Sequence, residues 1–147
     1  MQTRDWLFLA VMGVGLWLSF GGKLPDSITP TPAPFPSDGL RVLILEETAD
    51  RGKLPRSQLE ILSSTTLVKW LNQKCVKNGW RKLDDDTTAD ELKLADPIWQ
   101  KAFEQTKADA KGTTPWIAIT TGRVGESIPL PKTEAELMTI LAKYGGA

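Results

Sequence analysis

Carboxylates are the side chains of this sequence that could most readily do chemistry, because its 147 residues include no His and a single Cys. Without His, the chain cannot supply an imidazole as a general base, as a zinc ligand or as part of a Ser-His-Asp triad. One Cys excludes an internal disulfide, a four-Cys zinc site and a CxxC pair. Acids, lysines, hydroxyls and the main chain therefore remain as candidates.

Two groups of acids follow the first two predicted strands. They are Glu46, Glu47 and Asp50 after the first strand, and Asp84, Asp85 and Asp86 after the second. Because parallel pairing brings the carboxyl ends of strands to one edge, where α/β folds usually carry sites, both groups are expected there. Oxygen-rich clusters suit Ca²⁺ or Mg²⁺, but the spacing matches no calcium loop and basic residues stand nearby. We therefore favour a solvated charged edge, with residues 84–86 as weak metal candidates, and expect no cofactor.

The single thiol, Cys75, falls near the end of a predicted helix. The C-terminus of a helix disfavours a thiolate, and Cys75 stands four residues after Leu71 on the apolar face. We therefore favour a small core residue over a reactive thiol.

Residues 6–22 form an uncharged run of 17 residues, WLFLAVMGVGLWLSFGG. A spanning helix needs about 17 to 25 apolar residues, whereas the core of a signal peptide needs about 7 to 15. No small-x-small cleavage signal closes the run, so it predicts an uncleaved N-terminal transmembrane helix within residues 1–22; a cleaved signal peptide is the alternative. Two positive groups precede the run and one follows it, which favours a single-pass protein whose C-terminal domain is extracytoplasmic.

A proline-rich segment, residues 23–40, follows the predicted anchor. It holds five of the ten prolines and the run TPTPAPFP. Alternating Pro prevents both helix and sheet ladder, so we expect an extended linker that holds the domain away from the bilayer. A Pro-rich ligand for a groove is the alternative for the same composition.

Residues 41–147 have the pattern of a folded α/β domain. Strand signals fall at residues 42–45, 80–83, 116–120 and 124–128, with helical stretches between them and at the C-terminus. The helix starts are marked by Ser57, by capping boxes that begin at Thr88 and Thr133, and by Asp96-Pro97. The resulting order, β-α-β-α-β-β-α, predicts a mixed sheet that carries helices.

This order, the Thr114-Pro115 pair at the head of the third strand, the Gly122 hairpin and the amphipathic C-terminal helix resemble the minimal thioredoxin fold. The resemblance implies a three-layer thioredoxin-like domain behind the transmembrane helix. In that superfamily a cis-proline at the position of Pro115 lies beside the active-site loop, and its neighbouring main chain pairs with a bound peptide. The resemblance therefore implies a cis Pro115 and a peptide groove. The groove candidates are Thr114, Pro115, Trp116, Glu47 and Asp50.

The departure from the thioredoxin pattern lies in the loop after the first strand. Thioredoxins carry CxxC there, whereas residues 46–55 of this chain, EETADRGKLP, contain no Cys. Dithiol exchange at this place is excluded, which disfavours an enzyme. The sequence therefore predicts a membrane-anchored, redox-inactive module that binds a protein or peptide or acts as a scaffold.

Two other functions stay open at this point. One is a structural component of a membrane or envelope assembly, and the other is an enzyme on the same fold that uses a single thiol or carboxylates. Lys+Arg and Asp+Glu number 18 each, with no basic block. No nucleic-acid partner is therefore expected.

Overall fold

The computed structural model describes residues 31–146 of the chain. They form a four-stranded sheet in the order β2-β1-β3-β4, made of β1 (Arg41–Glu46), β2 (Trp80–Asp84), β3 (Trp116–Thr120) and β4 (Gly125–Pro129). β1 pairs in parallel with β2 and antiparallel with β3, which pairs antiparallel with β4. The α/β class that the sequence predicts is therefore confirmed.

Helices connect and follow these strands. After β1 come a 3-10 helix (Thr48–Lys53), α1 (Arg56–Leu62) and α2 (Thr65–Lys74); after β2 come α3 (Ala89–Lys93) and α4 (Pro97–Ala110); α5 (Glu134–Gly145) follows β4. The two helical stretches predicted between the first two strands correspond to α1 and α2, and a 3-10 helix that was not predicted precedes them.

Local caps explain where most of these helices begin. Thr88 is the N-cap of the predicted capping box of α3, Asp96 caps α4, and the Thr133 hydroxyl caps the first turn of α5. The start of α1 differs from the prediction. Pro55 is the residue before α1 and no side chain caps the helix, so Ser57 lies within its first turn.

Helices cover both faces of the sheet, and β1 is therefore buried along its whole length. Val42 and Ile44 lie in a hydrophobic cluster with residues of α1, α2 and α5. Leu43 and Leu45 point to the other face and lie in a second cluster with residues of α3 and α4. Each fully buried large apolar side chain contributes about 1.5–3 kcal/mol. The two clusters therefore hold the helical layers against the sheet.

Residues 31–40, which the sequence assigns to the linker, pack against the domain. Phe35 is 3% exposed, its ring centroid lies 6.4 Å from that of Trp99, and its carbonyl accepts the Thr120 hydroxyl at 2.9 Å. Pro32 forms an isolated bridge to the residue just before β4. The prolines prevent a regular strand ladder in this segment, but the Phe35 ring between them is buried in the core. The described part of the Pro-rich segment therefore belongs to the packing of the domain.

The turn between β3 and β4 touches the same segment. Gly122 has a φ of +86°, and its α-carbon lies so near the carbonyl of Ser37 that a Cβ would overlap that oxygen. The N–H of Gly122 donates to the Thr120 hydroxyl at 2.9 Å. The hairpin turn and the Pro-rich segment are thus in main-chain contact.

Within residues 31–146, no helix is both long and apolar enough to cross a membrane. The predicted anchor, residues 6–22, and the linker up to residue 30 lie outside the described residues.

Candidate functional site

The carboxyl ends of β1 and β2 place the two acidic groups at one edge of the sheet. Glu46 is the register partner of Asp84, so the last residues of the two parallel strands stand side by side. The buried Glu46 carboxylate accepts two hydrogen bonds from Arg51, at 2.8 and 2.6 Å, and lies 3.7 Å from the ammonium of Lys82. Two cations therefore neutralise the one buried acid of this edge.

Three further acids at this edge have local structural partners. Glu47 accepts the N–H of Ala49 at 3.0 Å and caps the 3-10 helix. Asp50 pairs with Lys53 at 2.6 Å, and Asp85 lies 3.4 Å from the ammonium of a lysine in α4. These contacts hold the loops that follow the strands.

Asp84 and Asp86 form an interacting pair. The Asp84 carboxylate accepts the N–H of Thr48 at 3.1 Å and also the Thr48 hydroxyl, and the hydroxyl is the main cause that lowers the pKa of Asp84. A hydrogen bond with Asp84 and the charge of that group raise the pKa of the exposed Asp86. The opposite shifts indicate that the charged form is stabilised at one of the two carboxyls only.

No group of three or more His, Cys, Asp or Glu side chains within residues 31–146 is placed to hold a metal ion. The weak metal candidates do not converge on one point. Asp84 accepts a hydrogen bond from Thr48, Asp85 forms an ion pair with Lys107, and Asp86 is exposed. A calcium shell of six to eight oxygens needs carboxylates that converge on one point. The geometry therefore favours a charged edge.

The Thr114–Pro115 peptide bond is cis, as the resemblance implies. Pro115 is buried, and its carbonyl accepts the N–H of Leu130 at 3.0 Å. Trp116 is half-buried, and its indole N–H donates to the Ser127 hydroxyl at 3.0 Å. Thr114 differs from both neighbours: among the described residues, neither its N–H nor its carbonyl has a hydrogen-bond partner. One residue of main chain is thus open for pairing.

The register of the sheet brings the predicted groove residues to one edge. Trp116 is the partner of Leu45, so the Thr114–Pro115 pair lies at the carboxyl end of β1. In the described part of the chain, the side chains of Glu47 and Asp50 bond within the 3-10 region and not to this pair. The three consecutive residues 114–116 therefore lie together, whereas the side chains of Glu47 and Asp50 are bonded within the neighbouring loop.

A cleft of about 590 Å³ lies beside Trp116. Its walls are residues 31–34, the C-terminal end of α4 and Ser127 of β4. Sequence reasoning missed this cleft, because it assigned residues 31–34 to a free linker. Its walls include one aromatic side chain, Trp116, and aromatic side chains line the grooves that bind Pro-rich peptides.

Cys75 follows the last turn of α2 and packs against the cluster formed with α1 and α5. Burial raises the pKa of its thiol to about 11, while the charge of Arg41 acts weakly in the other direction. A thiol that stays protonated near neutral pH is a poor nucleophile. The geometry thus supports the core role that the sequence favours.

Two arginines that sequence reasoning did not single out flank Trp99. The guanidinium carbons of Arg41 and Arg81 lie 5.7 and 5.8 Å from the centroid of the indole, which is 1% exposed. Part of the signal is in the sequence, because Arg41 stands two residues before Leu43 and so shares its face of β1. The partner of that face, a tryptophan on α4, depends on the tertiary fold.

No family model matches this chain, and it has no match among the curated proteins or the solved structures.

Proposed function

We propose that the chain is a membrane-anchored thioredoxin-like domain without redox activity, which binds an extended segment of a peptide or protein partner. The binding site is at residues 114–116, at the head of β3. The observation that carries this proposal is the open main chain of Thr114, which is followed by a buried Pro115. A cleft lies beside Trp116, the third residue of the site.

The sheet topology supports the thioredoxin-like part of the proposal. β1 has a parallel neighbour on one side and an antiparallel neighbour on the other, in the order β2-β1-β3-β4, and helices cover both faces. Pro115 stands at the head of β3, beside the carboxyl end of β1. The 3-10 helix and α3 are additions to the minimal thioredoxin pattern.

The loop after β1 supports the absence of redox chemistry. The 3-10 helix Thr48–Lys53 occupies the place where thioredoxins carry CxxC, and its side-chain contacts are ion pairs and hydrogen bonds. Cys75, the one thiol, follows α2, and burial raises the pKa of this thiol. Disulfide exchange needs an accessible thiolate.

Main-chain pairing with an extended peptide is the mode of recognition that fits the loop before β3, because β3 itself is already paired with β1 and β4. The free N–H and carbonyl of Thr114 offer one donor and one acceptor, which an extended segment alongside residue 114 would satisfy by two main-chain hydrogen bonds. The cleft beside Trp116 offers space for a side chain of that segment. Main-chain hydrogen bonds would then supply affinity, and the cleft would supply selectivity.

The anchoring part of the proposal rests on the uncharged run of residues 6–22. With this anchor the domain is held at the membrane surface on the extracytoplasmic side, as the positive charges flanking the run favour. Because residues 31–40 pack on the domain, the segment left to act as a spacer begins at residue 23 and ends near residue 30. The domain would therefore stand close to the bilayer.

A display selection with random peptides, followed by NMR hydrogen exchange, tests the proposal. In a complex with a selected peptide, exchange of the Thr114 amide should slow by about tenfold or more, since its N–H becomes a hydrogen-bond donor. The matched control is the amide of Gly112, which is exposed and also has no hydrogen-bond acceptor among the described residues. Its exchange should stay unchanged.

Two results would overturn the proposed site. One is a selected peptide whose contact slows exchange elsewhere and leaves the Thr114 amide unchanged. The other is a selection that enriches no binding peptide at all, in which case a packing role in a membrane assembly replaces the binding role. Turnover of insulin by the purified protein would separately refute the claim of redox inactivity.

A further inference from the structure

β2 is an edge strand, because the sheet order β2-β1-β3-β4 gives it β1 as its one neighbour in the described sheet. The Val42 N–H donates to the Gly79 carbonyl at 2.9 Å, and the Asp85 N–H donates to the Glu46 carbonyl at 2.7 Å. Peptide groups alternate between the two sides of a strand. The odd-numbered residues of the range 79–85 therefore pair with β1, and the even-numbered ones face outward.

Most of the outward main-chain groups of β2 have no hydrogen-bond partner in the described part of the chain. They are the N–H and the carbonyl of Trp80 and of Lys82, and the N–H of Asp84. The Asp84 carbonyl differs, because it accepts the Thr87 N–H at 3.1 Å and the Thr87 hydroxyl at 2.7 Å. Open groups of this kind are a template for pairing with another strand.

The other edge strand, β4, is less open. The Gly125 N–H donates to the Thr31 carbonyl at 3.1 Å, and the strand ends at Pro129, which has no N–H to donate. A further strand therefore fits the outer side of β2 better than that of β4.

The charges along β2 and the residue after it are complementary to their own reverse order. The run Arg81-Lys82-Leu83-Asp84-Asp85 has two cations, one apolar residue and two acids. When two copies of this run pair antiparallel about Leu83, each cation lies opposite an acid. Arg81 is then opposite Asp85 of the second copy, and Lys82 is opposite Asp84. Opposite charges directly across two strands stabilise the pairing.

The same register suits the main chain. Leu83 directs its peptide groups to β1, so at the centre it forms a non-hydrogen-bonded pair with Leu83 of the second copy. Lys82 and Asp84 direct theirs outward. The Asp84 N–H can therefore donate to the Lys82 carbonyl of the second copy, and the symmetry of the pair gives a second such bond.

The side chains that meet in this register lie on the same face of the sheet. Arg81 rests on Trp99 of α4, 5.8 Å from the ring centroid, and Asp85 lies 3.4 Å from the ammonium of a lysine in α4. Lys82 and Asp84 alternate with these residues and point to the other face. Each cross-strand ion pair is thus formed on one side of the joined sheet.

Neighbouring registers lose this complementarity. Pairing about Lys82 or about Asp84 sets that charge opposite its own copy, and like charges directly opposite each other are destabilising. A lysine on an edge strand commonly discourages pairing. Here Lys82 discourages the registers in which it meets another cation and favours the one in which it meets Asp84.

We propose that the outer side of β2 is an interface for a second copy of this chain, in which the two β2 strands pair antiparallel about Leu83 and join two four-stranded sheets into one. The interface is isologous, since both copies contribute the same residues. A strand of five residues makes a small interface, so the association is weak and reversible. It does not depend on the proposed peptide site, because β1 separates β2 from β3.

Sedimentation equilibrium of the full chain measures the dissociation constant of this dimer, in a mild detergent because of the apolar run at residues 6–22. Lys82→Glu sets an acid opposite Asp84 of the second copy. Asp84→Lys sets a cation opposite Lys82. Each change creates two repulsive pairs in the symmetric dimer, so each variant alone should self-associate at least about tenfold more weakly than wild type.

Mixing the two variants restores the complementarity. The new acid of one copy then faces the new cation of the other, and the remaining native Asp84 faces the remaining native Lys82. The dissociation constant of the mixture should return to within about threefold of wild type. Variants that each self-associate like wild type, or a mixture that does not recover, would overturn the proposal.

The matched controls are Lys132→Glu and Glu104→Lys, which make the same two changes of charge at exposed residues outside β2. Each should self-associate within about twofold of wild type, alone and in the mixture. If the controls weaken the dimer as much as the β2 variants do, overall charge and not the register governs association, and the proposal fails.

A disulfide tests the register without a change of charge at the central pair, should a charge variant not fold. The α-carbons of a non-hydrogen-bonded pair lie about 4.5 Å apart, within reach of a disulfide. Leu83→Cys in a Cys75→Ser background should therefore form a linked dimer on mild oxidation. The control Arg81→Cys in that background places its two thiols about 13 Å apart and should stay unlinked. Equal linkage of both variants, or none in Leu83→Cys, would contradict the register.

Discussion

Replacing Phe35 by Ala tests whether the described part of the Pro-rich segment is an integral part of the domain. The Phe35 ring is 3% exposed and lies against Trp99 with an angle of 50° between the ring planes. Truncating a buried Phe costs about 3–5 kcal/mol, to which an aromatic pair adds about 0.5–1.5 kcal/mol. A domain of ordinary stability has about 5–15 kcal/mol in total. We therefore expect Phe35→Ala to remove a large part of the free energy of unfolding.

Urea unfolding followed by circular dichroism measures this loss from the shift in midpoint at unchanged slope. The Thr120 hydroxyl bonds to the carbonyl of Phe35, so this hydrogen bond survives in the variant and the loss reports on the ring. Pro36→Ala is the control, because Pro36 is exposed and its replacement should cost about 1 kcal/mol or less. If Phe35→Ala changes the free energy of unfolding by less than about 0.5 kcal/mol, as is usual for an exposed surface residue, the ring does not belong to the core and the prediction is refuted.

Cys75 should react slowly with iodoacetamide: with a folded-state pKa of about 11, its thiolate fraction near neutral pH is on the order of a hundredfold below that of a free Cys. Urea should restore the ordinary rate, and a fast rate in native buffer would contradict the burial. Asp84→Asn should weaken the acid sensitivity of stability. The pKa of Asp84 is lowered by folding, so its contribution is full above the unfolded value of about 3.9 and is lost as pH falls through the folded value. The stability difference between wild type and variant should therefore shrink on acidification in urea titrations; a constant difference would count against the Thr48 contact. If residues 6–22 are an uncleaved anchor, the mature protein should begin at Met1 and stay with membranes after carbonate washing. N-terminal sequencing that starts after Gly22 would show a cleaved signal peptide instead.

Local chemistry predicted the elements of the domain well. The short apolar run at residues 42–45 predicted a strand buried on both faces, and all six residues of β1 are buried. Thr88, Asp96 and Thr133 each cap a helix as their spacing indicated. These signals are reliable because each depends on hydrogen bonds or side-chain periodicity within a few residues of chain.

The packing of the Pro-rich segment could not be predicted in the same way. Alternating prolines correctly argue against a helix, and the same composition is typical of a linker. Phe35 finds its hydrogen-bond partner Thr120 at a distance of 85 residues along the chain. No local rule links positions so far apart, so the packing of Phe35 on the domain does not follow from the composition of the segment.

The candidate site shows the same division between local and distant causes. Parallel pairing of β1 and β2 was sufficient to predict that both acidic groups reach one edge, as the register of Glu46 with Asp84 shows. The partners of the acids were not predictable, because the approach of Thr48 to Asp84 and of Lys107 to Asp85 depends on how loops and α4 pack. Those partners make the described part of this edge a set of ion pairs and hydrogen bonds.

The contact between Gly122 and Ser37 has a consequence for how relatives of this chain can be recognised. A side chain at position 122 would have to adopt a positive φ and also displace the carbonyl of residue 37. Gly112 also has a positive φ, of 80°, but no described atom within 4 Å of where its Cβ would be, so Asn is tolerable there. A homologous sequence with the same Pro-rich segment should therefore have glycine at position 122, whereas one with a larger residue there must route that segment along another path.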